Sequence, residues 1–387
     1  MKLIYITSRF PYPINKGDKL RSYYQIKELS KSNDIYLISL TEVPIKNENL
    51  KQLKKYCKQI IIHKIGYLAK IFNLTKTFVN NKPFQVNYFY HSSIQKKINT
   101  NISEIQPDHI FCQLVRTALY IKDNHEVPKT LDYMDALSKG MERRIEISNI
   151  WKKPFVKMES KRMKRFENLA YEFFDNHIII SESDRNHISH IENSKINVIP
   201  NGIDTIFFSP IITKKTYDLI FVGNLSYLPN VQAAKYISKE IVPLLKRKIP
   251  NIKILIAGSN PTRQILKLSN DNIKISGWVH DIRETYCSGK VFFAPLTIGS
   301  GLQNKLLEAM SLKIPSVTSP LCNQSLGAKH MKNIIIGNRT EEFVELIVNL
   351  LNDDKLATKI GEKGREYVDE KFSWESANED LIKILGD

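Results

Sequence analysis

A glycine-containing turn is the pattern in this sequence that most clearly suggests chemistry. The apolar segment Val291–Ala294 precedes the turn, and a helical pattern covers Gln303–Leu312 after it; the turn itself consists of Gly299, Ser300, Gly301 and Leu302. The first N–H groups of a helix have no partner within the helix and carry partial positive charge, and glycines let an anion approach the backbone closely. The pattern predicts a site for a diphosphate.

Two charged residues of the predicted helix complement this turn. Glu308 lies seven residues beyond Gly301, about two turns at 3.6 residues per turn. Because helical side chains tilt toward the helix N-terminus, the carboxylate can reach two vicinal hydroxyls of a ribose whose phosphates rest on the turn. Lys305, three residues earlier on the same face, can bring a cation to the phosphates. The alternative is an ordinary exposed Lys–Glu pair on a surface helix.

A loop near the start of the chain holds a second group of candidates. Residues Pro11 to Arg21 contain proline and glycine and lie between the first predicted strand and the first helix, where an α/β sheet opens its ligand crevice. Gly17 permits close backbone approach, and Lys19 and Arg21 supply positive charge. The alternative is a capped helix entry with surface bases.

Two aspartates follow a later predicted strand, Lys129–Leu131. Asp132 and Asp135 stand at its carboxyl end, and one of them, with Asp135 as our candidate, can orient or deprotonate an acceptor hydroxyl. The alternative for Asp135 is a helix N-cap, because Ala-Leu-Ser follows it.

Strand and helix patterns alternate along the whole chain, as expected for an α/β protein. Apolar runs such as Leu3–Ile6, Ile35–Leu40 and His109–Cys112 are typical of buried strands, and segments with apolar residues at three-to-four spacing separate them. A second series of the same kind begins at Leu219–Val222. We therefore predict two doubly wound domains facing each other across a cleft.

The domain boundary is predicted at a turn. Pro200 and the pair Asn201-Gly202 interrupt any regular element there, so residues 1–200 form one domain and residues 201–371 the other. Residues 372–387 begin with a Ser373 cap signal and form an amphipathic helix that we expect to pack back on the first domain. The alternative is a terminal helix on the second domain.

Length and composition restrict the class of protein. At 387 residues, with 42% hydrophobic and 25% charged residues, the chain suits two globular domains, and no apolar stretch approaches the roughly 18 residues that a membrane span needs. The four cysteines have no Cys-x-x-Cys spacing, which favours a reduced, cytoplasmic protein without a metal site. The net charge of +17 is suited to binding nucleic acid, an anionic membrane or an anionic small molecule. The alternative is a lysine-rich composition whose extra charges lie on the solvated surface.

A basic amphipathic helix is predicted within Lys157–Phe174 and the residues before it. Lys153, Lys157, Lys161 and Arg165 recur at helical spacing, while Phe155, Met163, Phe166 and Leu169 are assigned to the opposite, apolar face. The protein is expected in the cytoplasm, and such a helix can bind it peripherally to the anionic inner face of the cell membrane. The alternative is a core helix whose wet face happens to be basic.

Several short motifs occur in the order and spacing of a known enzyme family. They are Arg9-Phe-Pro-Tyr-Pro13, Gly17-Asp18-Lys19 with Arg21, Ile199-Pro-Asn-Gly-Ile-Asp204, Phe221-Val-Gly-Asn-Leu225, Leu255-Ile-Ala-Gly258, Gly277-Trp-Val-His-Asp281 and Asn304-Lys-Leu-Leu-Glu-Ala-Met310. In these residues the chain resembles the retaining glycosyltransferases of family four (glycosyltransferase group 1), which have the GT-B fold of two Rossmann-like domains. The resemblance is closest to the sugar transferases that assemble exopolysaccharide and other surface glycans.

The resemblance implies roles for individual residues. Glu308 is the ribose ligand, Gly223 and Asn224 join the turn at residues 299–302 in binding the donor, and the loop with Gly17, Lys19 and Arg21 lies over the diphosphate and acceptor. Family members pair two acidic residues here, and Ser300 stands where the first is expected. Asn224 likewise replaces the usual Arg.

The expected activity is transfer of a sugar from a nucleotide-sugar donor to a growing, lipid-linked or oligosaccharide acceptor of a capsule, O-antigen or exopolysaccharide. The anomeric configuration is retained, and neither a metal nor a cofactor is expected. A nucleotide-sugar epimerase of the same fold is the alternative enzyme, and a non-catalytic nucleic-acid-binding protein is the alternative of another class. No nucleic-acid-binding signature accompanies the positive charge.

Overall fold

The structure, a computed structural model, describes residues 1–66, 73–75, 77, 80–298 and 302–386. These residues form two compact units. The first consists of Met1–Asn201 together with the residues from Ala377 on, and the second of Gly202–Ser376. The divide after Asn201 lies in the Pro-Asn-Gly turn, whose backbone interrupts the last strand of the first unit.

A seven-stranded parallel sheet forms the centre of the first unit, as far as the chain is described. Its order is β3-β2-β1-β4-β5-β6-β7. The strands are β1 Lys2–Thr7, β2 Asp34–Thr41, β3 Cys57–Lys64, β4 His109–Gln113, β5 Lys129–Asp132, β6 Asn176–Ile179 and β7 Asn197–Val198. Fully buried residues such as Leu3, Ile4, Tyr5 and Ile6 run along β1 without alternation, because helices cover both faces of a parallel sheet.

The helices of the first unit connect these strands. They are α1 Gly17–Leu29, α2 Asn47–Leu53, α3 Phe84–Phe89, α4 Ser92–Ile105, α5 Leu137–Ile147, α6 Lys153–Tyr171 and α7 Glu182–Arg185, with short 3-10 helices at Ala118–Tyr120 and Asn193–Lys195. Helix α4, absent from the sequence prediction, buries Ile94, Ile98, Ile102 and Ile105 on one face. The other residues of α4 are mostly polar. Its apolar residues therefore form only one narrow stripe along the helix, which was too weak a pattern to predict it from the sequence.

The second unit repeats this architecture with a parallel sheet of order β10-β9-β8-β11-β12-β13 among its described residues. Its strands are β8 Tyr217–Val222, β9 Ile254–Ala257, β10 Ile273–Ser276, β11 Gly289–Ala294, β12 Ser316–Thr318 and β13 Ile335–Ile336. Numbered from its own first strand, this is the order 3-2-1-4-5-6 of dinucleotide-binding folds. The predicted fold class, two doubly wound α/β domains, is confirmed.

The helices of the second unit surround this sheet. They are α8 Leu228–Tyr236, α9 Val242–Lys248, α10 Arg263–Leu266, α11 Ile282–Cys287, α12 Asn304–Ser311, α13 Pro320–Leu326, α14 Thr340–Asn352 and α15 Asp354–Phe372. A π-helical stretch, Ile237–Ile241, joins α8 to α9. Pro243 at the start of α9 has no N–H to donate to the preceding turn, which explains the local change of hydrogen bonding.

A last helix, α16 Trp374–Gly386, returns the chain to the first unit. The Ser373 hydroxyl accepts a 3.1 Å hydrogen bond from the Ser376 N–H, as expected of a cap. Leu381 and Leu385 are buried in the same cluster as Leu3 and Tyr5 of β1. Among the described helices of both units, none combines the length and the apolar character needed to cross a bilayer.

Candidate functional site

The second unit has its candidate site at the carboxyl ends of β8 and β11. These neighbouring strands lie where the strand order reverses, and in open α/β sheets ligands bind in the crevice at that point. The segment after β8 contains Gly223 and Asn224, and the segment after β11 leads to α12, which carries Lys305 and Glu308. The fold therefore brings together residues about 80 positions apart in the chain.

Two glycines allow close backbone packing at these strand ends. A Cβ atom on Gly258 would lie 1.7 Å from the Gly223 carbonyl oxygen, and Gly258 has φ of +142°, which other residues rarely adopt. A Cβ atom on Gly223 would lie 2.7 Å from the Asn230 amide nitrogen. The Gly258 position therefore requires glycine, and a Cβ atom on Gly223 would displace the Asn230 amide.

Asn230 connects this backbone to the helix with the charged residues. It is buried in the first turn of α8, donates a 2.9 Å hydrogen bond from Nδ2 to the Asn224 carbonyl, and accepts one at Oδ1 from the Lys305 ammonium. The sequence analysis missed Asn230, because a neutral amide at the start of an apolar helix resembles a local cap. Its position six residues after the Val-Gly-Asn run was the available signal.

Lys305 is held by this hydrogen bond close to the apolar core. Its ammonium lies 5.5 Å from the centroid of the Phe221 ring. Burial lowers the pKa of Lys305 to about 8, although Cys322 and Glu308 oppose the shift. The lysine is therefore a cation with unusually few water contacts, and a bound anion would interact with it strongly.

Glu308 is held from the other side by a tyrosine that sequence reasoning also missed. The fully buried Tyr286, on α11, donates a 2.7 Å hydrogen bond to Glu308 Oε2. Burial raises the pKa of Glu308, while the Tyr286 hydroxyl and Lys305 lower it. Lys305 and Glu308 are both only partly exposed and each binds a different element, so they are not the exposed helix pair of the alternative interpretation.

The remaining donor-site candidates of the second unit differ in their surroundings. Asn224 is exposed, and its Oδ1 accepts hydrogen bonds from the Ser226 N–H and hydroxyl in a local turn. Leu302 packs against the core. Gly299, Ser300 and Gly301 lie outside the described residues, so the predicted glycine turn stays a prediction.

In the first unit, the predicted loop is shorter than expected. Helix α1 begins at Gly17, so Gly17, Lys19 and Arg21 belong to its first turns. Gly17 lies close to Met134, whose Cε would be 3.0 Å from an added Cβ. Lys19 is half-buried, and its pKa is lowered by burial and by Lys16.

Arg21 lies in the interior of the first unit, not on a surface loop as predicted. It is fully buried; Nε donates a 2.6 Å hydrogen bond to Asp132, and Nη1 donates one of 2.9 Å to Asn201. Gln25 donates to the same Asp132 oxygen. Through these bonds Arg21 orders the ends of β5 and β7, although its Nη2 is buried with no hydrogen-bond partner among the described residues. In the sequence, Arg21 resembled a phosphate-binding base, and its burial beside a carboxylate was not visible.

Asp135 lies at the edge of a cavity of about 510 Å³ in the first unit. Helix α5 uses Ala136 as its N-cap residue, so Asp135 is not that cap. Burial and Asp184 raise the pKa of Asp135, and Arg116 opposes them. The other lining residues described are Arg9, Glu42, Leu74, Phe84, Gln85, Tyr88, Phe89, Arg116, Leu137, Gly140, Met141 and Arg144.

Aromatic rings and arginines give this cavity its chemistry. The guanidinium carbons of Arg9 and Arg116 lie 5.9 and 5.4 Å from the centroid of the Phe89 ring. Burial and the charge of Arg9 lower the pKa of Arg116 to about 10. Tyr88 donates a hydrogen bond to Glu42. Apolar ring faces beside carboxylates and guanidinium groups suit a polyhydroxylated ligand.

The basic helix α6 is only partly as predicted. Lys153, Lys157, Lys161 and Arg165 are exposed, and Met163 and Phe166 are buried. Phe155 and Leu169, however, are exposed and do not belong to a buried apolar face. Across the described residues, no group of three His, Cys, Asp or Glu side chains is placed to hold a metal ion.

Comparison with solved structures identifies the fold of this molecule. HepE of Anabaena, in complex with UDP, has a TM-score of 0.65 at 14% identity and matches 100% of both chains. TarM has a TM-score of 0.66 at 14% identity, with 100% of this chain and 99% of TarM covered. The chain has the GT-B fold of glycosyltransferases.

Sequence comparison relates the second unit to a known family. Residues 216–353, within that unit, match the model described as glycosyl transferases group 1. An uncharacterized 44.6 kDa protein in the cps region of Klebsiella pneumoniae is 22% identical over 99% of both chains. A UDP-Gal:α-D-GlcNAc-diphosphoundecaprenol α-1,3-galactosyltransferase of Escherichia coli is 27% identical over 48% of this chain and 52% of its own.

Proposed function

We propose that this protein transfers a sugar from a nucleotide-sugar donor to a growing, lipid-linked surface glycan, with retention of the anomeric configuration and without a bound metal. The observation that carries the proposal is the pair of anchored charges on α12 of the group 1 domain, Lys305 bound by Asn230 and Glu308 bound by Tyr286. A diphosphoundecaprenol-linked sugar and a capsular polysaccharide are named in the descriptions of two relatives, and a third is described as a protein in a cps region. They support a surface glycan as the acceptor.

The two charges have distinct roles toward the donor. The Glu308 carboxylate accepts hydrogen bonds from two vicinal ribose hydroxyls, and its bond from Tyr286 keeps Oε2 oriented. Lys305 faces the diphosphate, with the first N–H groups of α12 beside it. Gly223 leaves room for the diphosphate to approach the backbone.

In the transfer step, the bond between the anomeric carbon and the diphosphate oxygen breaks while the acceptor oxygen bonds to the same face of that carbon. The acceptor's proton passes to the departing diphosphate oxygen. Negative charge grows on the diphosphate during this step, and Lys305 with the α12 amides stabilises it. The protein therefore supplies electrostatic stabilisation and positioning rather than a covalent nucleophile.

The cavity of the first unit is proposed as the acceptor site. Its aromatic residues stack on sugar rings, and Asp135 accepts a hydrogen bond from the acceptor hydroxyl. Lys19 and the backbone at Gly17 are assigned to the anionic part of the substrates. Arg21, which is buried, is assigned to positioning through Asp132.

Transfer itself is tested with labelled donor sugars. Purified protein is incubated with UDP-, GDP- and dTDP-sugars and a lipid extract from cells that make the glycan, and label in the lipid phase is counted. Appearance of label with one donor supports the proposal. Conversion of the donor sugar to its epimer without transfer would instead identify an epimerase, and absence of both reactions with every donor would contradict the assignment.

The site is tested by Glu308→Gln, which preserves size and removes the charge. Hydrogen bonds to charged groups contribute about 1.5–3 kcal/mol, so the donor kcat/KM should fall roughly 10- to 100-fold. The control is Glu345→Gln, an exposed glutamate on α14 of the same unit, which should leave kcat/KM unchanged. Equal kinetics of both variants would remove Glu308 from the site.

A further inference from the structure

Two apolar side chains project into water from the loop between α5 and α6. Trp151 is 88% exposed and Ile150 is 73% exposed, although both are large hydrophobic residues. Phe155, in the first turn of α6, is also exposed. Adjacent exposed apolar side chains of this size mark an interaction surface rather than ordinary protein surface.

Positive charge continues from this loop along one side of α6. Lys153, Lys157, Lys161 and Arg165 recur every four residues and are all exposed. Leu169, an apolar residue four positions after Arg165, is also exposed. We call the loop at residues 148–152 and this side of α6 the basic apolar surface. This surface has apolar side chains at its tip and cations behind them. A membrane interface has the same order, with acyl chains beneath a layer of anionic headgroups.

A cavity of about 430 Å³ lies within the basic apolar surface. It is lined by Asn81, Lys157, Met158, Lys161, Arg162 and Arg165, four cations without a carboxylate. Arg162 donates from Nη2 to Asn81, and its Nη1 is buried with no hydrogen-bond partner among the described residues. The four cations around this cavity repel one another, and a phosphate placed among them would offset that repulsion and accept hydrogen bonds from them.

We infer that the basic apolar surface binds an anionic phospholipid bilayer, with one headgroup phosphate in this cavity. The inference rests on the proposed lipid-linked acceptor, because an enzyme bound there meets its acceptor in the plane of the membrane. Ile150 and Trp151 enter the interface between headgroups and acyl chains, and the cations contact headgroup phosphates. Ile150 favours lipid as the partner over nucleic acid, since an aliphatic side chain gains little from a phosphate–sugar backbone.

The first experiment measures flotation of the full chain with vesicles of phosphatidylcholine alone or with one third phosphatidylglycerol. Binding should require phosphatidylglycerol. Trp151→Ala should weaken it about tenfold, by loss of buried apolar area. The matched control is Trp278→Ala, a tryptophan 74% exposed on the second unit, which should bind as well as the unaltered chain.

The second experiment tests the charges. Lys161→Gln with Arg165→Gln should lower binding about 30-fold, or roughly fivefold per base. The matched control replaces Lys246 and Arg247, two exposed bases of α9, by glutamine and should change binding little. Equal loss in both pairs would mean that net charge alone acts and would overturn the assigned surface.

Three further outcomes decide the inference and separate it from the proposed function. Equal binding to both kinds of vesicle, or binding that Trp151→Ala does not alter, overturns it. Binding to a single-stranded oligonucleotide, lost in Lys161→Gln with Arg165→Gln, without vesicle binding would assign the surface to nucleic acid and also overturn it. Glu308→Gln should still float with vesicles, and Trp151→Ala should still transfer sugar to a water-soluble acceptor analogue, so either proposal can fail alone.

Discussion

At the scale of single residues, the donor site depends on side chains that hold other side chains. Lys305 and Glu308 sit three positions apart on α12, yet one is bound by Asn230 of α8 and the other by Tyr286 of α11. Long charged side chains lose rotamer freedom on binding a ligand, and a partner that orders them in advance lowers that loss. Asn230 and Tyr286 are therefore positioning residues of the proposed site.

Lys305 predicts a dependence of donor binding on pH. Its pKa of about 8 means that the ammonium is charged at pH 7 and loses its proton as the pH rises through 8. Because the charged form binds the diphosphate, the donor KM should rise between pH 7 and pH 9. Steady-state kinetics over this range measure the effect, and Lys305→Arg, which stays charged, should flatten the profile. A KM of the unaltered enzyme that is constant with pH would be inconsistent with the role.

The hydrogen bond from Tyr286 to Glu308 predicts a moderate effect on donor KM. Tyr286→Phe removes only the hydroxyl that orients Glu308, so donor KM should rise about 3- to 10-fold while kcat changes less, as for a hydrogen bond of about 1 kcal/mol. The control is Tyr217→Phe, a partly buried tyrosine at the start of β8, at the end of the strand away from the site. A purely structural role would lower thermal stability and leave KM unaltered, and this result would count against positioning.

At the scale of elements, buried polar contacts join helices and strands that lie far apart in the sequence. Arg21 on α1 binds Asp132 at the end of β5 and Asn201 after β7. Arg21→Ala would leave the Asp132 carboxylate without its cation, and it should destabilise the first unit by about 3–5 kcal/mol in denaturant unfolding. Lys383→Ala, which removes an exposed ion pair with Asp380, should cost less than about 1 kcal/mol. Similar losses in both variants would contradict the burial argument.

Helix α16 predicts that the end of the chain stabilises the first unit. Leu381 is fully buried with Leu3 and Tyr5, whereas its neighbour Ile382 is 39% exposed. Leu381→Ala should lower the free energy of unfolding by about 2–5 kcal/mol, and Ile382→Ala by much less. Denaturant titration with hydrogen exchange locates the change, which should appear in the first unit. Destabilisation confined to the second unit would exclude this packing.

At the scale of the whole molecule, two units of the same architecture carry different chemistry at the same topological position. In the second sheet, Gly223 and Lys305 follow β8 and β11, the two strands where the order reverses. In the first sheet, Arg9 and Arg116 follow the corresponding strands β1 and β4, and Asp135 follows the neighbouring β5. The second unit offers a backbone surface with a lysine and a glutamate, and the first a cavity lined with aromatic residues and arginines. This difference is the physical basis for assigning donor and acceptor to separate units.

Donor binding should therefore protect the second unit most strongly. At a nucleotide concentration 100 times the Kd, linkage stabilises the binding unit by about 2.7 kcal/mol. Hydrogen exchange should slow around residues 223–230 and 302–308 on addition of nucleotide. Protection confined to the first unit would place the donor elsewhere and would remove the basis for the roles of Lys305 and Glu308.

Local pattern was enough to predict much of this protein from its sequence. Apolar runs and helical spacing indicated both doubly wound domains, since a buried parallel strand and an amphipathic helix differ in periodicity whatever surrounds them. The same reasoning located Lys305 and Glu308 on one helix face at the end of a strand, because that relation depends only on helix geometry.

Tertiary packing alone decided which groups those residues meet. Asn230 lies 75 positions from Lys305, and Tyr286 lies 22 from Glu308, so no local period relates them. Burial was equally invisible: Arg21 is enclosed in the interior while Ile150 and Trp151 are in water, the reverse of what their polarity favours. A side chain's polarity is a local property, whereas its solvent exposure and its partners depend on how distant strands and helices pack together.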